Sequence, residues 1–324
     1  MTTAVARAAL PSIILACAVA PLPFVLGGYA LSLLIVIGLH AIAVLGLSIL
    51  MGQVGQVSLA QGAFYGLGAY GSAILALHGG LTPLVSMPAA VALAAVVALA
   101  LGLPAVRLGG HHLALATLGF GIIVFLVFNE EGDWTGGPSG TLGIPPVAIL
   151  DATLATDRAY AYLVWAVLLT ALAAARALLA SPVGRAFRAV AASEVAAAAM
   201  GIDVARTKLV AFVLAGALGA AAGALYAHWL TFVSPTAFGF ETSIEFLVMA
   251  VLGGLGSLYG ALLGAAAVTL LVEGLRSVVH AVAPGATGWV EIVAFGLILI
   301  VVLLAVPEGL AGGVARLVKA VRRG

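Results

Sequence analysis

Few side chains in this sequence can do chemistry, and their spacing excludes most catalytic arrangements. The two lysines, Lys208 and Lys319, lack the glycine-rich approach of a G-x-x-x-x-G-K-[ST] phosphate loop. No H-E-x-x-H, C-x-x-C or G-x-S-x-G pattern occurs. His111 and His112 are adjacent, so on a helix they diverge by about 100° and mark an interface rather than a metal site. The single Cys17 cannot form an intrachain disulfide and reads as a small core residue. What remains is a set of uncharged polar groups, Gln53, Gln56, Ser58 and Gln61, among Gly52, Gly55 and Gly62. Such groups can hydrogen-bond a zwitterion or an amide without a fixed-charge penalty, or they can satisfy the backbone of a kinked helix. The sequence leaves both open.

Four acids lie in or beside apolar runs: Glu241, Glu245, Glu273 and Glu291. They read as charges solvated at span ends, or as an outer face that docks a partner or attracts a substrate ammonium, with Glu241 and Glu245 the candidates for docking. Glu273 stands three residues before Arg276, a spacing that permits an intrahelical pair. No chain of acids for a proton relay crosses the inner half.

These residues must be positioned by an oil-soluble scaffold. Of 324 residues, 64% are hydrophobic and 8% charged, and the mean hydropathy is +1.26. A soluble domain carries roughly 25% charged residues, so this chain cannot cover a water-facing surface. It reads as an all-α polytopic membrane protein, which disfavours a soluble enzyme, a disulfide scaffold and a disordered chain. A net charge of +1 gives no field that attracts nucleic acid. Arg7 with its apolar run has some likeness to a signal peptide, and Ile14-Leu15-Ala16-Cys17 to a lipoprotein box, but a Pro-containing first span is the stronger reading.

Apolar runs of about 20 residues mark spans. They fall at 9–27, 29–50, 57–78, 83–106, 112–129, 160–180 and 208–231, then in a long run 244–283, then at 288–306. Arg176, Arg185, Arg188, Arg206 and Lys208 put 176–208 in the cytoplasm, and Arg316, Lys319, Arg322 and Arg323 put the tail there too. The acidic stretch 130–159 faces outward; Arg7 and Arg107 fall inside. Parity then requires the long run to cross twice, and Gly253-Gly254-Leu255-Gly256-Ser257 supplies the break. The expectation is a short span at 243–255, a turn at Gly253–Ser257 and a longer span at 258–282. That makes about ten transmembrane helices with both termini cytoplasmic. Broken backbone cannot face lipid, so Gly253, Gly254, Gly256 and Ser257, like Gln53 to Gln61, should be shielded by protein or line a wet path. The two breaks occupy corresponding places in 29–129 and 208–306, which points to an inverted repeat within one membrane domain over 1–324. Glycines four apart (Gly62 and Gly66; Gly219 and Gly223; Gly256, Gly260 and Gly264) suit close helix packing.

The basic segment 181–207 is the most distinctive. Ser181-Pro182 can start a helix, the Ala-rich run after Glu194 has high helix propensity, and Gly201 suits a stop. Two short helices at the inner membrane face follow, with an interfacial linker as the plainer alternative.

Here the residues resemble a known family. The run Glu194-Val195-Ala196-Ala197, seven residues before Gly201, is similar to the E-A-A loop of ABC importer permeases. Three stretches narrow the resemblance. One is Gly55-Gln56-Val57-Ser58-Leu59-Ala60-Gln61-Gly62-Ala63-Phe64-Tyr65-Gly66. Another is Trp134-Thr135-Gly136-Gly137-Pro138 with Gly143-Ile144-Pro145. The third runs from Ala224-Leu225-Tyr226 through Ser234-Pro235 and Ser243-Ile244-Glu245 to Gly253-Gly254-Leu255-Gly256-Ser257. Over about 30–306 the chain resembles the M-type permease subunit of branched-chain amino acid ABC importers. One departure is Ala192-Ser193, where the family carries a more polar pair before the glutamate.

The resemblance implies a non-catalytic subunit of a bacterial inner-membrane importer, forming half of a translocation pathway. Its implied partners are a homologous H-type permease, two ABC ATPase subunits and a periplasmic amino-acid-binding protein, in a lipid bilayer. ATP and Mg would be bound by the ATPase subunits, with no cofactor in this chain. Arg185, Arg188, Glu194, Ala197, Gly201 and Asp203 would form the ATPase-coupling loop. Related permeases carry urea or short amides, which stay open as substrates. A stand-alone secondary carrier is the rival from another class; it needs an ion-coupling site.

Overall fold

The computed structural model describes residues 17, 19–105, 111–149, 152–153, 156–282, 296 and 309–313. Residues 9–16 and 18 of the expected span at 9–27, nearly all of that at 288–306, and Arg7, Arg107, Asp151, Glu291, Arg316, Lys319, Arg322, Arg323 and the side chain of His111 lie outside the described residues.

Among the described residues, besides short helical turns at Leu22–Val25, Gly132–Thr135, Gly137–Ser139 and Pro235–Phe238, there are ten helices of six residues or more. They are α1 (Gly28–Val54), α2 (Gln61–Leu77), α3 (Pro83–Ala105), α4 (His111–Glu130), α5 (Asp157–Ala180), α6 (Pro182–Ala192), α7 (Glu194–Ala199), α8 (Val204–Leu230), α9 (Phe240–Gly253) and α10 (Leu258–Val282). Among the described residues, six helices are long and apolar enough to cross a membrane: α1, α3, α4, α5, α8 and α10. The protein is an all-α polytopic membrane protein. Two of the four shorter helices, α2 and α9, are informative. At about 1.5 Å per residue, the 17-residue α2 and the 14-residue α9 reach roughly 26 and 21 Å. A hydrocarbon core of about 30 Å exceeds both.

Extended structure is confined to loops. Thr141–Leu142 (β1) pairs antiparallel with Phe232–Val233, joining the loop after α4 to the loop after α8. Ala148–Ile149 pairs with Ala152–Thr153.

The core is organised by α1 and α8, which pack on each other and crosswise on the rest: α8 against α2 and α3, α1 against α10 and α9. In its most apolar stretch α1 is 83% buried, against 22% for α3 and α4, which therefore form the rim. Lipid is as apolar as leucine, so close approach of small residues holds such a bundle together. A Cβ on Gly68 would stand 1.9 Å from the Ala220 carbonyl oxygen, and one on Gly223 would stand 1.7 Å from that of Tyr65. The α9–α10 pair is closed in the same way by Gly253, Gly260 and Gly264. Of the glycines four apart, only Gly256 meets nothing.

Two expectations change. The run 57–78 is not one crossing: residues 55–60 are non-helical, and α2 starts at Gln61. Cys17 is exposed rather than packed in the core; a thiol behaves as a small hydrophobe and meets lipid without penalty.

Candidate functional site

The left-handed Gly55 (φ 78°) ends α1 and turns the chain back along the bundle. The returning strand is held by side chains, as broken backbone in a membrane requires. Leu59 N–H donates to Thr117 Oγ1 at 3.0 Å, and Ala60 N–H donates to Ser58 Oγ at 3.3 Å. Gln61 then opens α2 deep inside. Its Nε2 donates to the carbonyls of Ala43 (2.7 Å) and Ala215 (3.2 Å), each in the middle third of a 27-residue helix. Gly62 N–H donates to Ser243 Oγ at 2.9 Å, in the first turn of α9. The two half-length helices thus begin side by side within the bundle. From there α2 runs to the end where His78 meets Trp134, and α9 runs to the opposite end, where α1 stops.

An aromatic cluster surrounds this junction. Tyr65 contacts Tyr226, Phe238 and Phe246, and Tyr70 contacts Phe128 and Phe238. Tyr65 Oη and Tyr70 Oη are buried without a hydrogen-bond partner. The sequence reading missed this cluster; the available signal was the presence of Tyr65, Tyr70, Tyr226 and Phe238 near its own glycine motifs.

The two glycine-broken regions meet. Gly254 adopts φ 103° and ψ 104°, a conformation only glycine holds without strain. The following Leu255 carbonyl presses on Gly52, where a Cβ would stand 1.4 Å from it. Gln53 Nε2 donates to the carbonyl of Gly256 at 3.3 Å, and Ser257 Oγ accepts from Gly260 N–H. Gly253 and Gly254 are buried, whereas Gly256 is exposed. Gln53, Ser58 and Gln61 therefore all serve broken or helical backbone. Gln56 differs. It is 5% exposed, and neither its Nε2 nor its Oε1 has a partner.

The segment 181–207 forms a capped elbow. Ser181 Oγ accepts from Val183 N–H with Pro182 in the first turn, Ser193 Oγ accepts from Ala196 N–H, and Asp203 Oδ1 accepts from Arg206 N–H. At the end of α7, Gly201 is left-handed (φ 82°), with Ile202 N–H bonded to Ala197 O and Gly201 N–H to Ala198 O. Phe187, Val190 and Ala197 are buried. Arg185, Arg188, Gly201 and Asp203 are exposed; Arg188 Nη1 donates to Leu179 O. Glu194 forms an ion pair with Lys208 at 2.6 Å. Val195 and Met200 are 82% and 83% exposed. Gly55 lies against Ala191, so the elbow sits beside the break in α1.

Of the acids, Glu241 is exposed in the first turn of α9, where a carboxylate suits the helix dipole, and Glu245 is partly buried. Glu273 pairs with Arg276 at 3.7 Å. Another unforeseen network is centred on His228. Its Nδ1 contacts the Pro145 carbonyl at 2.7 Å and must carry the proton there, so Nε2 accepts from Ser72 Oγ at 2.7 Å; Ser86 Oγ joins Ser72 at 2.9 Å. No group of three metal-ligating side chains occurs among the described residues.

Comparison with known proteins is consistent along the chain. The family described as branched-chain amino acid transport system / permease component matches residues 29–303. The high-affinity branched-chain amino acid transport system permease protein LivM of Escherichia coli is 35% identical over 259 residues, covering 72% of this chain and 60% of that protein. LivM of Salmonella typhimurium is 34% identical over 275 residues, covering 78% and 64%. LivH of Escherichia coli, also named a permease protein of that system, is 28% identical over 301 residues, covering 84% and 91%. This chain spans less than two thirds of the length of the LivM relatives. No solved structure matches it.

Proposed function

The chain belongs to the branched-chain amino acid transport permease family, and from that premise we propose that it is the permease subunit of an ATP-driven importer of branched-chain amino acids. It forms half of the pathway in the bacterial inner membrane, beside a homologous H-type permease. Two ATPase subunits bind ATP and Mg and engage the 181–207 elbow. A periplasmic binding protein delivers substrate to the 130–159 side, near Glu241 and Glu245. Both termini are cytoplasmic, and 29–129 and 208–306 are inverted repeats.

The observation that carries this reading is the junction of α2 and α9. Two helices that start inside the bundle, joined by Gly62 and Ser243, are the discontinuous elements around which transporter pathways are built. The element lengths support the repeat: helices of 27, 17 and 23 residues in the first half, and of 27, 14 and 25 in the second. Gln56, Gly253 and Gly254 lie on the route from that junction to the elbow side.

The test is reconstitution of the chain with its four partner proteins in lipid vesicles. Leucine uptake that needs ATP, and the binding protein, supports the reading. ATP-dependent uptake of urea and not of leucine moves the substrate class to amides. Uptake by this chain alone under an ion gradient refutes the subunit assignment.

A further inference from the structure

The loop resemblance assigns Glu194 to the surface that meets an ATPase. The geometry gives this carboxylate another partner. Glu194 Oε1 lies 2.6 Å from Lys208 Nζ, and the lysine side chain is 5% exposed while the glutamate is 56% exposed. An ammonium is removed from water at high cost unless it is paired, so Lys208 holds its position through Glu194. Among the described residues this is the one side-chain ion pair between α7 and α8. The other ties of α7 are the burial of Ala197, the turn at Gly201, its packing on α6 and a smaller backbone contact with α8.

What Lys208 is attached to gives the pair its consequence. It sits near the start of α8, whose 27 residues cross the whole bundle. Further along, α8 receives Gln61 at the Ala215 carbonyl, packs against Tyr65 at Gly223, and carries His228 at its far end. A displacement of α7 that is rigidly tied to α8 reaches the junction of the two half-length helices. A displacement of an untied α7 is absorbed in the six-residue helix and its glycine turn.

We propose that Lys208 is a positioning residue: its ion pair with Glu194 locks the coupling helix α7 to α8, so that movement of a docked ATPase is delivered to the bundle, while the exposed Val195 and Met200 supply the contact with the partner. This rests on the permease reading above. Glu194 then acts inside this chain and not across the interface.

The test uses the complete reconstituted transporter and reads leucine moved per ATP hydrolysed. Lys208→Met keeps the aliphatic stem and leaves only a half-exposed carboxylate unpaired, so the complex assembles. Its transport per ATP falls by about tenfold while hydrolysis persists. The exchange of charges in Glu194→Lys with Lys208→Glu restores the ratio to within about twofold, whereas either change alone does not. An unchanged ratio in Lys208→Met, or an exchange no better than its single changes, overturns the proposal. If Lys208→Met fails to assemble, rescue of assembly by the exchange supports the lock and failure of rescue overturns it. Absence of ATP-dependent uptake in the unmodified complex strikes the permease reading instead, a separate outcome.

Discussion

Gly223→Ala tests the claim that backbone contact between α2 and α8 holds the bundle. The added Cβ would stand 1.7 Å from the Tyr65 carbonyl oxygen, half of the 3.4 Å at which ordinary contact begins, and 3.1 Å from the Ala69 nitrogen. The obstacle is backbone on a neighbouring helix, so no side-chain rotation relieves it. The helices must part, and parting them also unpacks Gly68 from Ala220 across the same crossing. Overpacking of this kind costs about 1–3 kcal/mol. Opposing it, alanine is favoured over glycine inside a helix by about 1 kcal/mol. Gly119 on α4 supplies the reference, because a Cβ there meets nothing within 4 Å. Gly119→Ala therefore reports the propensity gain alone, and the difference between the two variants isolates the clash. Unfolding of the purified protein in detergent, followed by far-ultraviolet circular dichroism during denaturant titration, measures both. Gly223→Ala should be less stable than Gly119→Ala by about 1–3 kcal/mol. Equal stability of the two would refute close backbone packing as the force that holds α2 to α8.

Two other substitutions separate structural from functional polarity. Gln56→Leu removes a buried amide that has no partner, so detergent stability should rise by about 1–3 kcal/mol while ATP-driven leucine uptake falls; unchanged uptake would remove Gln56 from the pathway. His228→Leu strands the Pro145 carbonyl and leaves the Ser72 hydroxyl with Ser86 alone, and should cost about 1–3 kcal/mol and speed protease cleavage in residues 141–149; an unaltered cleavage rate would show that His228 does not anchor that loop.

Helix positions were legible because lipid removes alternatives. A long apolar run with few charges must be helical, so α1, α3, α4, α5, α8 and α10 begin or end within a few residues of the expected spans. The break at Gly253–Ser257 was legible for the same reason: parity of the basic loops demanded a turn, and glycine supplied one. The return of residues 55–60 into the bundle was not legible. It depends on Thr117, Ser243, Ala43 and Ala215, which come from four different helices and carry no local signal of that role. The group Gln53, Gln56, Ser58 and Gln61 shows the limit sharply. All four share a composition that suits either substrate or backbone, and only tertiary placement shows three of them bonded to backbone and one left over. The partner of Glu194 was hidden in a similar way. Lys208 counted as one more basic residue of a cytoplasmic loop until α8 folded it inward.

The crosswise packing limits how such a bundle can move. In each half the first long helix lies against the second and third helices of the other half, so neither half encloses its own first helix. A rigid separation of the halves would strip α1 from α10 and α8 from α2 together, breaking the His40–Thr269 hydrogen bond of the first pair and the glycine contacts of the second. The residues bonded with least regularity are those where α2 and α9 begin. There the backbone depends on single side-chain bonds, Gly62 to Ser243 and Leu59 to Thr117, instead of on a helical ladder. One such bond exchanges for a water or a substrate group at a net cost of about 0.5–1.5 kcal/mol, whereas opening a helix in lipid exposes several amides at once. Rearrangement driven from the elbow should therefore concentrate at the α2–α9 junction and leave the long helices intact. A conformational change that instead separated α8 from α2 would have to break the close backbone contacts at Gly68 and Gly223 together.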